Sequence, residues 1–478
     1  LQALSGLQKH EAKTLKIIIL GAGRVGVSVA ENLVGEANDI TMVDLDAVGL
    51  DKIQNRLDLK TIVGNGSHPA ILEQAGAMNA DLLLAVTQSD ETNLVACKLA
   101  ATLFNTPTKI ARIRQSSYLT HPEIFSPDNF NVDFTICPEQ ILTDYIKKLI
   151  DVPEALQVLD FANGLVKLVG VRVRADGLLV GRELRHIRET MPDVDTRVAA
   201  VFRHNRPLKP KCNTVIEEGD EVFFVAASEN IKSVMKQLKK MEKPIKRVML
   251  AGGGNIGSRL AQAIENKYQV KLIDHNKECC QRLAQQLSHT LILHGNVTDE
   301  KLLNDENVDE MDLFCALTND DEDNIMSALL AKRLGARKVI IIVNRSSYAD
   351  LIQGGEIDVA ISPAEATIGT LLTHVRQADV SVVHSLRRGA AEALELIVHG
   401  DMQTSKVVGR RIDEINLPEN VTLGAIVRNK TDDPTKTEVL ITHHDTVIET
   451  GDHLIIFVIG RTNIPKVEAM FRVSTGFF

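Results

Sequence analysis

Short apolar runs alternate along this chain with longer stretches of helical periodicity, and the alternation predicts β-α-β-α units. In the first part the runs fall near residues 16–20, 40–43, 60–63, 82–86 and 109–113, with a sixth near 133–136. The pattern implies a parallel sheet covered by helices on both faces. A shorter segment of different texture follows, rich in valine and turn residues, and then the whole order returns: large, small, large, small. The expected division is a leader or expression remnant over 1–14, a large α/β domain over 15–150, a small α+β lobe over 151–235 and a linker over 236–245. A second large α/β domain over 246–378 and a second lobe over 379–478 complete it. Pro244 lies in the charged stretch at the joint, where it discourages a helix from running through.

The repeat is more than shared texture. Lys16-Ile-Ile-Ile-Leu-Gly matches Arg247-Val-Met-Leu-Ala-Gly, and Gly64 falls on Gly295 at an offset of 231. Asp81 through Asn93 lies over Asp312 through Asn324 at the same offset. In the small segments Leu179-Val180-Gly181-Arg182 returns as Val407-Val408-Gly409-Arg410, and Glu218-Gly219-Asp220 as Thr450-Gly451-Asp452.

Each copy opens with a G-x-G-x-x-G turn between a strand and a helix: Gly21, Gly23 and Gly26 in the first, Gly252, Gly254 and Gly257 in the second. In that setting the glycines permit a tight turn, let a pyrophosphate approach the backbone and allow close helix packing, as in Rossmann-like dinucleotide folds. An acidic residue ends the next strand of each copy, Asp44 and Asp274, where a carboxylate accepts hydrogen bonds from ribose hydroxyls. Leu45 and Asp46 supply no cation for a 2′-phosphate, so the first turn reads as an NAD-type or simple adenine-nucleotide site. His275 and Lys277 beside Asp274 leave more room for drift in the second.

Within the turns Arg24 and Val25 stand where Asn255 and Ile256 stand in the second copy, and a guanidinium at the helix mouth can reach a pyrophosphate or a third phosphate. The inequality predicts that the two pockets do not bind one ligand equally. Asn65, Gly66 and Ser67, with Asn296 and Val297 opposite, lie at the edge where an adenine ring can be hydrogen-bonded; a plain turn is the alternative. Thr87 and Thr318 come at a strand end, each followed by acidic residues (Asp90 and Glu91, Asp321 and Glu322) whose plainer role is helix capping.

Composition narrows the function further. A net charge of −9 and the absence of tryptophan argue against nucleic-acid binding. The six cysteines show no C-x-x-C spacing, so no metal site is expected, and Cys97 and Cys315 read as small buried hydrophobes. No apolar stretch approaches the ~20 residues needed to span a bilayer, which predicts a cytoplasmic protein. The histidines form no catalytic set: His443, His444 and Asp445 read as a solvated loop, and Arg182, Arg185 and Arg188 as a basic helical stripe.

From Lys16 to Phe471 the four-part order resembles the RCK (regulator of K+ conductance, or KTN) family. The resemblance implies two Rossmann-like domains, each followed by an α+β RCK C-terminal lobe. It further implies a regulator and not an enzyme: a homo-oligomer, plausibly a tetramer, peripheral on the inner face of the membrane below an integral-membrane potassium transporter subunit. Its cofactor would be NAD or NADH, with ATP or ADP as further candidates. Asn255 departs from the arginine of the first turn, and Asn65 and Asn296 stand where the family often has an acid. The competing reading is an NAD-dependent oxidoreductase, which would need a substrate domain bringing an acid or base to the nicotinamide.

Overall fold

The structure, a computed structural model, describes residues 14–34, 38–175, 177, 179–186, 194–204, 206–238, 243–345, 348, 352, 355–375, 379–386, 390–430, 433–443, 445–460 and 463–472. Residues 1–13 of the expected 1–14 segment, Arg188 and His444 lie outside the described residues. Contacts divide the chain into two compact units between Cys137 and Pro138.

The first unit is built from β1 (Lys16–Leu20), α1 (Arg24–Val34), β2 (Asp39–Asp44), α2 (Ala47–Gln54), β3 (Lys60–Val63) and α3 (Pro69–Gln74), then β4 (Leu82–Ala85), α4 (Asp90–Phe104), β5 (Thr108–Arg112), α5 (Ser116–Leu119) and β6 (Phe134–Ile136). The strands pair in the order β3-β2-β1-β4-β5-β6, parallel throughout. Ile17, Ile18, Ile19 and Leu20 are buried; each such side chain contributes roughly 1.5–3 kcal/mol when taken out of water. Strand order reverses between β1 and β4, and in open α/β sheets the crevice beyond the strand ends at that switch is where ligands bind.

The second unit opens with α6 (Pro138–Asp151), whose apolar positions Leu142, Ile146, Leu149 and Ile150 recur at helical spacing and are all buried. An antiparallel sheet follows, of β7 (Ala155–Phe161), β8 (Val166–Arg172), β9 (Thr196–Arg203), β10 (Arg206–Leu208) and β11 (Glu221–Ala227), then α7 (Ile231–Leu238). The second nucleotide-type domain comprises β12 (Arg247–Ala251), α8 (Asn255–Ile264), β13 (Gln269–Asp274), α9 (Lys277–Gln286), β14 (Thr290–His294) and α10 (Glu300–Asp305), then β15 (Leu313–Ala316), α11 (Asp321–Leu334), β16 (Lys338–Ile342) and β17 (Val359–Ile361). Its order, β14-β13-β12-β15-β16-β17, repeats that of the first domain strand for strand.

Helix α12 (Pro363–Thr373) leads to β18 (Val380–Leu386), β19 (Ala391–Ile397), β20 (Val421–Lys430), β21 (Asp433–Ile441), β22 (His453–Ile459) and α13 (Ile464–Phe471), and this sheet, β18-β19-β22-β20-β21, has the topology of the first lobe. The echoed loop glycines adopt matching left-handed conformations, Gly181 with Gly409 (φ +74° and +76°) and Gly219 with Gly451 (φ +85° and +83°). The echoed aspartates clamp the same turns: Asp220 is buried against Arg203, and Asp452 against Arg428. Two cores knit this unit together. One joins α6, the first lobe and the second nucleotide-type domain; the other joins the two lobe sheets through Phe161, Phe202 and Phe223 on one side and Leu386, Ile455 and Phe457 on the other.

Candidate nucleotide-binding clefts

Both glycine turns lie at the carboxyl end of the central strand, at the switch point. Gly21 and Gly252 take φ of +106° and +104°, a conformation that side chains rarely adopt, and a Cβ at either would also press on the backbone after β4 or β15 at 3.0 Å. At Gly26 and Gly257 a Cβ would lie 1.9 Å from the carbonyl oxygen of Gly21 or Gly252, so these positions let the helix sit against the turn. Gly23 and Gly254 differ: nothing lies within 4 Å of a Cβ there, and the turn faces open space at the helix mouth. The three glycines thus divide their work as a phosphate-binding turn requires, and the first N–H groups of α1 and α8, which have no intrahelical acceptor, are the donors such a turn would offer.

The acidic partners are held in the same way in both clefts. Asp44 Oδ2 accepts from Ala22 N at 2.5 Å and Oδ1 from Asp46 N at 2.9 Å. Asp274 Oδ2 accepts from Gly253 N at 2.6 Å and Oδ1 from Asn276 N at 2.8 Å. Each carboxylate therefore latches the glycine turn to the neighbouring strand and keeps lone pairs for ribose hydroxyls. The exposed His275 ring stands 3.9 Å from Asp274 Oδ1.

Arg24 and Asn255 are exposed at the first positions of α1 and α8, directly after the second glycine of each turn. Val25 is buried and Ile256 half-buried, so both contribute to the turn chiefly through the backbone. The adenine-edge candidates form Asx turns: Asn65 Oδ1 accepts from Ser67 N and Oγ at 3.0 and 2.8 Å, and Asn296 Oδ1 from Thr298 N and Oγ1, both at 2.9 Å. Gly66 packs on Leu20 so closely that a Cβ would meet it at 2.8 Å, and Val297 is buried.

Thr87 and Thr318 belong to a polar staple whose centre the sequence does not single out. Asn93, fully buried on α4, accepts from Thr87 N and Oγ1 at 3.0 and 2.7 Å and donates to Arg112 O at 2.9 Å. Asn324 makes the same set with Thr318 and Ile342. The helix caps are Ser89 and Asp320. Asp90 and Asp321 instead accept backbone N–H bonds from Arg114 and Gln115, and from Asn344 and Arg345, which fixes the loop beyond the next strand. The only forecast of this staple was that Asn93 and Asn324 fall on each other in the repeat.

One further difference separates the clefts. Cys279 lies three residues after the cap of α9, where the first copy has Gly49 three residues after Asp46. Its Sγ is 3.4 Å from Gly253 O and accepts from Arg282 at 3.3 Å, while burial and the Asp274 charge push the thiol up. Cys97 and Cys315 are fully buried, which pushes both thiols up to about 12. Among the described residues there is no cluster of metal-ligating side chains, and no helix is long and apolar enough to cross a membrane.

Paired glycine-turn clefts, each in a parallel sheet of this order and each followed by the same antiparallel lobe, define a tandem RCK-type fold. The chain belongs to the TrkA family. It matches the TrkA-N domain at residues 17–128 and 248–363 and the TrkA-C domain at 168–239 and 402–471. It is 55% identical to the Trk system potassium uptake protein TrkA of Halomonas elongata and 53% identical to that of Vibrio alginolyticus, in each case over 97% of this chain and 100% of the relative. These relatives are named for potassium uptake and not for an oxidoreduction. The fold is also that of the GsuK RCK domain (TM-score 0.60, 15% identity, 96% of each chain) and of the GsuK channel bound to NAD (TM-score 0.60, 15% identity, 96% of this chain and 79% of that one).

Proposed function

We propose that this chain is a nucleotide-sensing regulatory subunit that gates a Trk-type integral-membrane potassium transporter. The observation that carries the reading is the pair of clefts, one per half-chain, with matching glycine turns and identically latched carboxylates. Gly21, Gly23 and Gly26 with Asp44, and Gly252, Gly254 and Gly257 with Asp274, would hold the phosphates and ribose of NAD or NADH, or of ATP or ADP. Arg24 would favour the more highly charged phosphate chains in the first cleft, and Asn255 would not do so in the second. A ligand shifts a gate only by its differential affinity for two arrangements; a typical coupling of ~1–3 kcal/mol changes that equilibrium roughly 5- to 150-fold. A peripheral homo-oligomer, plausibly a tetramer, would sum the bias over several clefts at the cytoplasmic face.

Titration calorimetry on the full chain tests the binding half of this reading. Two adenine-nucleotide sites per chain are expected, one removed by Asp44→Asn and the other by Asp274→Asn. Absence of binding by NADH, ATP and ADP alike would refute it.

A further inference from the structure

The two clefts share their glycine turns and their latched carboxylates, but the rims beside those carboxylates differ in chemistry. In the first, Leu45, Asp46, Ala47 and Val48 follow Asp44, and Val63 lies across from it in the register of β2 with β3. Leu45, Val48 and Val63 are exposed, and the one charged side chain of this rim is the acid Asp46. In the second, His275, Asn276, Lys277 and Glu278 follow Asp274, and His294 lies across from it in the register of β13 with β14. All five are exposed. The His275 ring stands 3.9 Å from Asp274 Oδ1. Nε2 of His294 donates to the His275 carbonyl oxygen at 3.1 Å, so this side chain positions the backbone that carries the imidazole. Lys277 opens α9 and has no ion pair among the described residues. Glu278, one position further on, does not share its face of the helix.

We propose that the second cleft, unlike the first, takes an adenine dinucleotide whose adenosine ribose carries an added 2′-phosphate. Asp274 would stay at the ribose, and the His275 imidazole and Lys277 ammonium would donate to the phosphate beside it; a nearby cation is what lets a fold of this kind accept that group. Asp274 itself repels an added anion, but less than a bare carboxylate would, because both of its oxygens already accept backbone N–H bonds, at 2.6 and 2.8 Å. The first rim has no side chain that donates to a phosphate, and Asp46 adds a second negative charge there. One chain would thus read two classes of dinucleotide, one per half. The inference rests on the nucleotide-sensing reading and gives its second cleft a ligand class.

Titration calorimetry on the full chain with NADH and NADPH tests this. NADH should fill two sites and NADPH one. His275→Leu, Lys277→Ala and His294→Val together give the second rim the side chains of the first; they should weaken NADPH at least about tenfold and change NADH less than about threefold. Conversely, Leu45→His with Ala47→Lys should create a second NADPH site. NADPH binding at neither cleft, equal binding at both, or NADPH binding that survives the triple substitution would overturn the proposal. Should the triple variant fail to fold, the reciprocal variant decides, and no second NADPH site there would overturn it. The two readings fail differently. No binding of either dinucleotide counts against nucleotide sensing as a whole, whereas two NADH sites without an NADPH site sink this inference alone.

Discussion

At the scale of single residues, the glycine turns and their carboxylates were readable because each position admits few alternatives. Gly26 must lack a Cβ, for one would sit 1.9 Å from a backbone oxygen that cannot move. Gly26→Ala should therefore cost roughly 3 kcal/mol or more, seen as a fall in melting temperature and loss of nucleotide binding. Arg24→Ala should weaken ATP binding more than NADH binding in calorimetry; equal losses would contradict its assigned place. Asn93 and Asn324 were not readable in the same way. Their partners, Arg112 O and Ile342 O, are brought within reach only by the sheet, and a buried asparagine announces nothing from sequence alone.

His384 sets a pH dependence at this scale. Its half-buried ring donates through Nε2 to Asp160 O at 3.0 Å, packs edge-on to Phe161 and lies near Lys148, Asp160 and Glu395; loss of solvation holds its pKa down at about 4. The folded protein keeps this ring neutral where the unfolded chain, with a pKa near 6.5, takes up a proton. Stability is thus full above about pH 6.5 and is lost as pH falls toward 4. Thermal melts over that window should show a steeper decline for wild type than for His384→Gln.

At the scale of elements, the alternation of apolar runs and helical stretches forecast all six strands of the first sheet within a residue or two, because doubly covered parallel strands are apolar along their whole length. What α6 packs against was not legible. Its stripe of Leu142, Ile146 and Leu149 announces a buried face, but the partners, α8 and α12, lie more than a hundred residues further on. The turn after α6 is tied to the second nucleotide-type domain as well. The buried Lys338 donates to Pro153 O at 2.8 Å and Ala155 O at 3.0 Å, and Lys267 pairs with Asp151 at 2.7 Å. Lys338 thus ties the amino end of β16 to the start of the first lobe. Lys338→Met, which leaves both carbonyl oxygens without this donor, is expected to raise hydrogen exchange over 152–158; unchanged exchange would contradict that tie.

At the scale of the whole molecule, duplication was the most informative property of the sequence, since a lone glycine turn is generic while large-small-large-small order is specific. It also misleads in one respect. The two half-chains look self-sufficient, yet one core is shared by both lobe sheets and another runs from α6 into the second nucleotide-type domain. A fragment of residues 246–478 should therefore expose the faces of β18, β19 and α8 that α6 and the first lobe cover, and should self-associate or aggregate. A fragment of 138–478 should be monodisperse; light scattering after gel filtration distinguishes the two.

The central claim is that occupancy of the clefts sets potassium flux, and the most direct measurement is flux through the reconstituted transporter with this chain bound, with and without NADH, ATP and ADP. The account predicts a nucleotide-dependent change that is reduced by Asp44→Asn or Asp274→Asn and absent when both are present. Flux that responds identically in the wild type and the double variant would contradict it.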